Sequence, residues 1–343
     1  MKILFDMLHP AHFHKLFPIW KELKKQGHKI IITARDKDVT YSLLKKNNIN
    51  FIPLSKQGNG KLSLLFELII RNLKLIRICL KENPDILIGF NGISISQVGW
   101  LLRIPSIYIT DNENAKYLTW FGTPFATKIL TEESFMKSYE SKHYFIKGFF
   151  ENTYLNSFIP DSSVLYENNL LEYNPRLIRE NPPKIKPFAV VRFVAWKASH
   201  DFGEAGFNIE QKKELIKVLE KKGKIIISSE EELPKEFKKY ENKSSPNKIH
   251  SLLYYAQVYI GDSQAMANES GILGTPAIRC NSLVDTNHSE GKFFKMTSIG
   301  RVYSTSKPKN AIDMALSLYG KKKPILKNKD TIPSIVYEIL NSK

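Results

Sequence analysis

The string VYIGDSQAMANESGILGTPAIR, which spans Val258 to Arg279, combines features that suit an anionic ligand. A buried strand is predicted to end at Asp262, and Ser263 stands where a helix N-cap belongs. The first helical turn then leaves backbone N–H groups without partners, and phosphate binds readily to such groups; they belong to Gln264, Ala265 and Met266. Glu269 lies further along the helix, where its carboxylate can accept hydrogen bonds from both hydroxyls of a ribose. An ordinary capped helix would explain the same residues without a ligand.

A second group of polar residues follows the predicted strand PFAVVRF. Arg192 ends this strand, and Lys197 and His200 lie in the loop WKASHDFGEAGF. A guanidinium suits a diphosphate because it offers a permanent charge and a planar fork of donors. His200 can donate to a phosphate or a sugar, and Lys197 is a weaker candidate for the same task. A salt bridge for Arg192 and a surface position for His200 are the alternatives.

Two loops of the first half also carry ionisable residues. HPAHFH places His9, His12 and His14 close together, but no cluster of carboxylates or cysteines accompanies them, so no metal site is predicted. TDNENAK places Asp111 and Glu113 directly after a predicted strand, where either can act as a base or hold a hydroxyl. Helix capping and packing explain the histidines equally well, and capping of the following helix by Asp111 or Asn112 explains the second loop.

Alternating strand and helix patterns are expected to position these residues. The first half has strand patterns at Lys2 to Leu8, Lys29 to Arg35, Pro84 to Phe90 and Ile104 to Thr110, with a short one in INFIPL. The second half has them in PFAVVRF, KIIIS, VYIGD and PAIRC. These apolar runs lack strict alternation, which is typical of parallel strands covered on both faces. Ligands of such sheets lie beyond the carboxyl ends of the strands. The ionisable loops of each half are therefore expected along one edge.

The domain organisation follows from length and from the distribution of proline. A chain of 343 residues with 42% hydrophobic residues favours two domains. We predict a Rossmann-like domain over 1–155, a proline-punctuated passage over 156–186 and a second Rossmann-like domain over 187–320. A final segment, 321–343, carries a helix that is predicted to pack back on the first domain.

Charge and cysteine content restrict the partners. The net charge of +17 comes from 42 Lys and only 9 Arg, whereas recognition of phosphates and bases depends mainly on Arg, so nucleic acid is not an expected partner. A positive surface attracts anionic lipid or acidic saccharide carriers. Cys79 and Cys280 stand alone in apolar surroundings, which fits a reducing compartment. The sequence begins with an apparent strand rather than a signal peptide, so a cytosolic location is expected.

The segment Lys61 to Asn83 is the most apolar stretch of the chain, but charged residues interrupt it, so it is not expected to span a bilayer. Its polar residues at 67, 71, 74 and 77 fall on one helical face. Two interpretations stay open. The segment is either an amphipathic helix packed on the sheet or a basic helix that contacts the inner face of a membrane.

The string from Val258 to Arg279 resembles the nucleotide-sugar half-site of GT-B enzymes, in particular UDP-N-acetylglucosamine 2-epimerases and related glycosyltransferases. The matching features are the strand-Asp-Ser start, the Glu followed by small residues, and the Leu-Gly-Thr-Pro turn into a strand ending in Arg. HPAHFHKLFPIWKELKKQGHKIIITARD, KQGNGKL, PSIYITDNENA and VVRFVAWKASHD look like the domain-of-unknown-function 354 family of predicted GT-B glycosyltransferases. The resemblance implies two Rossmann-like α/β domains with parallel sheets facing across a cleft. It also implies that the domain over 1–155 lies on the acceptor side and that the domain over 187–320 binds the nucleotide sugar.

The resemblance also implies roles for individual residues. The pyrophosphate of the donor is expected at Ser263 and the amides after it, the ribose at Glu269 and the sugar hydroxyls at Glu290. The first strand-helix loop of GT-B enzymes faces the acceptor, so His9 or His12 is expected to take a proton from the acceptor hydroxyl.

The function predicted from the sequence is therefore metal-independent transfer of a sugar from a nucleoside diphosphate, with UDP the expected nucleotide, to a saccharide or lipid-linked acceptor. The nucleotide sugar is a substrate, and no cofactor is expected. One alternative is a UDP-N-acetylhexosamine 2-epimerase, although Gln264 and Ala265 stand where 2-epimerases typically carry paired glycines. Another is a nucleotide-sugar-binding protein without catalysis.

Overall fold

The computed structural model describes all residues except 38, 59, 115, 173–183, 195–205, 230–231, 285–289 and 343. The described strands are β1 (Lys2–Met7), β2 (Lys29–Asp36), β3 (Ile52–Lys56), β4 (Ile86–Phe90), β5 (Ser106–Ile109), β6 (Lys128–Glu132), β7 (His143–Ile146), β8 (Leu171–Glu172), β9 (Lys184–Ile185), β10 (Phe188–Phe193), β11 (Lys224–Ser229), β12 (Val258–Gly261), β13 (Ala277–Cys280) and β14 (Val302–Thr305).

The described α-helices are α1 (Pro10–Lys25), α2 (Thr40–Lys46), α3 (Lys61–Glu82), α4 (Ile93–Leu102), α5 (Lys116–Gly122), α6 (Asn152–Leu155), α7 (Ser163–Glu167), α8 (Ile209–Leu219), α9 (Ile249–Tyr255), α10 (Gln264–Leu273), α11 (Gly291–Ser298), α12 (Pro308–Leu318) and α13 (Thr331–Leu340). None of them combines the length and the apolar composition needed to cross a membrane.

The chain divides into two compact units. Unit 1 comprises Met1–Asn156 together with Asn328–Lys343, and unit 2 comprises Ser157–Lys327. The segment 156–186, which the prolines mark as a passage, is counted with unit 2 from Ser157 onward and contributes α7, β8 and β9. The final segment, 321–343, is divided between the units, and α13 belongs to unit 1.

Unit 1 is built on a seven-stranded parallel sheet in the order β3-β2-β1-β4-β5-β6-β7. Successive residues of β1 point to opposite faces of this sheet. Ile3 and Phe5 join a buried cluster with residues of α1 and α13, whereas Leu4 packs with Leu75 and Cys79 of α3. Each such side chain contributes about 1.5–3 kcal/mol when it is fully buried. Helices therefore cover both faces, as the unalternating apolar strands predict.

Helix α3 packs against the sheet with part of its polar face. Arg71 forms an ion pair with Asp6, and both side chains are almost fully buried. Thr33 Oγ1 donates to the other carboxylate oxygen of Asp6 at 2.9 Å, and Arg71 Nη1 donates to Ser55 Oγ at 3.1 Å. A buried ion pair is tolerated when further hydrogen bonds satisfy its remaining polar atoms. The polar stripe read from the sequence therefore includes residues that face inward.

A neighbouring carboxylate, Glu67, reinforces this arrangement. It accepts hydrogen bonds from Arg35 Nε at 2.6 Å, from Ser55 Oγ at 2.7 Å and from the backbone N–H of Gly58 at 3.1 Å. Burial raises the pKa of Glu67, but these three donors outweigh it and hold the pKa below its usual value. The loop between β3 and α3 is thereby fixed to the helix.

Unit 2 is built on a five-stranded parallel sheet in the order β11-β10-β12-β13-β14. The strand order reverses between β10 and β12, because β11 lies on one side of β10 and all later strands lie on the other. In unit 1 the corresponding reversal is between β1 and β4. Doubly wound sheets bind ligands outside the carboxyl ends of the strands at such a reversal.

Candidate functional site

The reversal point of unit 2 lies between Arg192 of β10 and Gly261 of β12, which are paired in the sheet register. A Cβ atom at Gly261 would lie 2.5 Å from the carbonyl oxygen of Arg192, so only glycine allows the strands this approach. Arg192 Nη1 donates to Ser228 Oγ at 2.8 Å. The guanidinium is therefore held at the carboxyl edge of the sheet.

Asp262 organises the turn that follows β12. It is 3% exposed, and its Oδ1 accepts a hydrogen bond from the backbone N–H of Val194 at 2.9 Å. Its carbonyl oxygen accepts from Asn281 Nδ2 at 2.9 Å. A Cβ atom at Gly206 would lie 2.2 Å from Asp262 Oδ2, so the backbone packs directly on the carboxylate there. Asp262 thus joins the turn to the segment that follows β10.

Ser263 caps helix α10. Its backbone is extended, its Oγ accepts a hydrogen bond from the N–H of Met266 at 3.4 Å, and its carbonyl oxygen accepts from Ala267 at 3.2 Å. The amide of Met266, one of three expected to be free, is therefore engaged by the cap. The amides of Gln264 and Ala265 have no acceptor within the described ranges. Two unpaired donors and the positive end of the helix dipole form an anion-binding end.

The two glycines of α10 explain how this helix fits between its neighbours. Gly271 has so little space that an added Cβ atom would lie 2.8 Å from Met296 and Val302 side chains. Gly274 ends the helix in the left-handed region at φ +93°, and a Cβ atom there would lie 1.9 Å from the carbonyl oxygen of Lys323. Both positions therefore require glycine for packing or for the turn.

Glu269 lies beside His250 of helix α9. The distance from Glu269 Oε1 to His250 Nε2 is 3.2 Å, and the two side chains are 16% and 20% exposed. Burial lowers the pKa of His250, but the carboxylate of Glu269 raises it further, so the net pKa lies above its usual value. His250 was not predicted as a site residue, because no local sequence pattern pairs it with Glu269.

Arg279, near the carboxyl end of β13, is a second residue that was not predicted as a site residue. It is 5% exposed, and its guanidinium stacks on the ring of Phe293 at 3.7 Å from the ring centre. Burial lowers the pKa of Arg279 to about 10, partly offset by Glu290. Its Nε has no acceptor in the described part of the chain. The sequence feature that could have identified Arg279 is its place at the end of the string TPAIR, near the carboxyl end of a predicted strand.

Glu290, which was predicted to hold sugar hydroxyls, lies at the start of helix α11. It is the residue before helix α11, it is 7% exposed, and its carbonyl oxygen accepts a hydrogen bond from the N–H of Phe293 at 3.0 Å. Lys197 and His200 lie outside the described residues.

In unit 1 the predicted residues lie after β1 and β5. His9 is the N-cap of α1, and its Nδ1 accepts a hydrogen bond from Ala11 at 3.2 Å, so the capping interpretation holds for this residue. Asp111 forms an ion pair with Lys15. Asn112 makes a local turn, since its Oδ1 accepts a hydrogen bond from the N–H of Asn114 at 2.8 Å.

His12 has the most perturbed environment of these residues. Its ring lies 5.2 Å from that of Phe90 and 5.9 Å from that of His9, and its Nδ1 has no hydrogen-bond partner within the described residues. Burial, followed by the nearby His9 and Lys15, holds the pKa of His12 well below its usual value, although Asp111 acts in the opposite direction. The imidazole is therefore neutral at neutral pH.

The other two predicted residues of unit 1 are Glu113, which is buried, and His14, which packs against aromatic rings. Glu113 is 5% exposed, and its carbonyl oxygen accepts a hydrogen bond from Lys137 Nζ. His14 packs its ring against those of Tyr154 and Phe13 at 5.9 and 5.5 Å. Outside the undescribed gaps, no group of three or more His, Cys, Asp or Glu side chains is placed to hold a metal ion.

Comparisons with known proteins extend over the whole chain. The profile of the family described as "Protein of unknown function (DUF354)" matches residues 1–342. An uncharacterized protein of Methanocaldococcus jannaschii is 24% identical over 298 residues, which cover 82% of each chain.

Solved structures show the same fold at low sequence identity. UDP-GlcNAc 2-epimerase of M. jannaschii, in complex with UDP-GlcNAc and UDP, matches with a TM-score of 0.66 and 13% identity and covers 100% of both chains. MurG from Acinetobacter baumannii matches with a TM-score of 0.62 and 14% identity and covers 99% of both chains. The fold is therefore of the GT-B type, with two Rossmann-like α/β domains on parallel sheets.

Proposed function

The chain belongs to the protein family of unknown function DUF354, and we propose that it is a glycosyltransferase that uses a nucleoside diphosphate sugar. The proposed acceptor is a hydroxyl of a saccharide or of a lipid-linked carrier. UDP is the proposed nucleotide, which is supported by the fold shared with an epimerase whose structure contains UDP and UDP-GlcNAc.

One observation carries this proposal. The first turn of α10 presents the unpaired amides of Gln264 and Ala265 at the reversal point of the second sheet, and Arg192 lies near the carboxyl end of the neighbouring strand β10. Backbone amides and a guanidinium there suit a diphosphate, because both supply fixed positive potential. Glu269 lies in the same helix and suits the ribose hydroxyls, with His250 holding its carboxylate in place.

The same groups suit the chemistry of the leaving group. When the bond between the sugar C1 and the phosphate oxygen breaks, negative charge develops on the departing diphosphate. Amides and guanidinium groups that are already in place stabilise this charge without reorganising. Arg279 is a further candidate for this task, since it is a buried cation at the carboxyl edge of the same sheet. With this positive potential supplied by the protein, we propose that the transfer proceeds without a metal.

Unit 1 supplies the proposed acceptor groups. His12 is neutral at neutral pH, so it can take the proton of the acceptor hydroxyl as that oxygen forms its bond to C1 of the sugar. Asp111 with Lys15 and the buried Glu113 are candidates for holding the acceptor. Direct displacement of this kind inverts the configuration at C1.

The experiment is a measurement of UDP release from a panel of UDP-sugars, with and without saccharide and polyprenyl-phosphate-sugar acceptors. A thermal-shift screen selects the donors first, because a ligand that binds only the folded state raises the melting temperature. Acceptor-dependent UDP release that persists in EDTA supports the proposal. Conversion of the donor without any acceptor indicates a 2-epimerase, and donor binding without turnover indicates a binding protein.

A further inference from the structure

Helix α3 exposes an apolar surface that no described part of the chain covers. Seven of its large apolar side chains are between 49% and 75% exposed: Leu62, Leu65, Phe66, Ile69, Ile70, Leu73 and Leu80. The cause is the inward orientation of Arg71 and Glu67, whose ion pairs turn much of the apolar side of the helix outward. A surface helix usually has the opposite orientation.

Helices α4 and α5 extend this surface. Asn72 Nδ2 of α3 donates to Gln97 Oε1 of α4 at 2.8 Å, and Gln97 Nε2 donates to the carbonyl oxygen of Phe121 in α5 at 3.0 Å. The three helices are therefore neighbours. The exposed aromatic residues of α4 and α5 are Trp100, Tyr117, Trp120 and Phe121. We call the exposed apolar side chains of α3, α4 and α5 the apolar face.

Thirteen of the 21 large apolar side chains that are exposed in the described part of the chain belong to the apolar face. This concentration exceeds what single exposed residues on an ordinary surface produce, and contiguous patches of this kind mark interaction sites. The exposed charged side chains of α3 are all basic, namely Lys74, Arg77 and Lys81. Every Asp and Glu between residues 61 and 122 is buried or half-buried.

We propose that the apolar face docks on the surface of a lipid bilayer that carries anionic headgroups. Apolar side chains enter the boundary of the acyl region, Trp and Tyr favour the headgroup level, and Lys and Arg approach the anionic lipids. A face without exposed carboxylates fits a negatively charged surface better than it fits a second, equally basic copy of this chain. Docking does not depend on the proposed transferase activity.

The apolar face extends to the edge of the unit 1 sheet that carries the residues proposed to bind the acceptor. Helices α3 and α5 both begin after the carboxyl ends of parallel strands, which is the edge of the sheet that carries His12 and Asp111. Phe66 and Trp120 lie in the first two turns of these helices. A bilayer bound there is next to the residues proposed to receive the acceptor, so the surface suits a lipid-linked acceptor.

The test measures binding of the full chain to vesicles of phosphatidylcholine and phosphatidylglycerol in about a 7:3 ratio, by flotation and without any substrate. We expect Phe66→Glu to weaken binding to vesicles at least about tenfold, because it places a charge where an apolar ring is proposed to enter the bilayer. Removing two charges in Arg77→Gln with Lys81→Gln is expected to weaken binding about twentyfold. Pure phosphatidylcholine vesicles are expected to bind far less.

The matched control is Ile159→Glu, which places the same charge on a side chain of unit 2 that is 84% exposed. This variant is expected to bind vesicles as the unmodified chain does. Circular dichroism and thermal melting verify that each variant is folded. Absence of vesicle binding overturns the proposal, and so does equal weakening by Ile159→Glu. A dimer in light scattering that Phe66→Glu makes monomeric also overturns it, because the apolar face then belongs to a second copy.

Discussion

Replacing Glu269 with Gln tests the proposed nucleotide site most directly. The substitution keeps the size of the side chain and one oxygen beside His250, but it removes the negative charge. Hydrogen bonds to a charged group contribute about 1.5–3 kcal/mol, against about 0.5–1.5 kcal/mol for neutral pairs. Because the carboxylate is only 16% exposed, water does little to screen it. A loss of at least about 1.4 kcal/mol, or a tenfold weaker Kd for UDP, is expected.

Isothermal titration calorimetry with UDP and 2′-deoxy-UDP provides the assay. The unmodified chain is expected to bind UDP more tightly than 2′-deoxy-UDP, and Glu269→Gln is expected to lose most of this preference. Glu210→Gln is the matched control, since Glu210 lies in the same unit and its side chain is 78% exposed. An unchanged Kd, or a preference for UDP that survives in Glu269→Gln, would refute the ribose contact.

The same variant has a pH signature in stability. Because the folded pKa of His250 is raised above its unfolded value, the ion pair contributes fully below the unfolded pKa of about 6.5. That contribution is lost as the pH rises through the folded pKa. The melting temperature of Glu269→Gln is therefore expected to fall further below that of the unmodified chain at pH 6 than at pH 9. A difference that grows with pH would contradict the pairing.

Four further variants test other parts of the structure. His12→Gln is expected to lower kcat at least about a hundredfold and to leave the Kd for UDP unchanged. In the unmodified chain the acidic limb of the kcat profile is expected below pH 6.5, because the pKa of His12 is lowered. An equal loss of affinity for UDP in the variant would argue against a role as base. Arg71→Met leaves Asp6 buried without its cation and is expected to cost about 3–5 kcal/mol in urea unfolding, so a cost below about 1 kcal/mol would contradict the buried pair. Gly27 has open space around it at φ +84°, so Gly27→Ala is expected to lower the free energy of unfolding by about 1–2 kcal/mol through backbone strain alone. Gly274→Ala is expected to lower it further, because its Cβ atom would also lie 1.9 Å from a carbonyl oxygen. Equal losses in the two variants would contradict this clash.

The strands that the sequence predicted are those with uninterrupted β-branched or aromatic runs. KILFDM and FAVVRF are interior strands of the two sheets, because such runs are buried on both faces. Strands β6, β7 and β14 were not predicted. KILTE, HYFI and VYST are short and carry polar residues, so sheet pairing rather than composition places them.

The sequence likewise predicted one part of the candidate site and missed another. The Ser263 cap depends on residues only three apart in the chain, so the local pattern sufficed. His250 and Glu269 are separated by 19 positions, and their pairing depends on how α9 packs on α10. The roles of Glu269 and Arg192 toward a ligand stay predictions.

The sequence by itself determined the two α/β units, several of their interior strands and the capped start of α10, because burial and capping act through neighbouring residues. Tertiary structure alone decided which charges meet across elements. The amphipathic pattern of α3 allows either side to face the sheet, and Asp6 and Arg35, distant in the chain, draw Arg71 and Glu67 inward. A buried charge without a partner is costly, so these ion pairs set the orientation of the helix and leave much of its apolar side exposed.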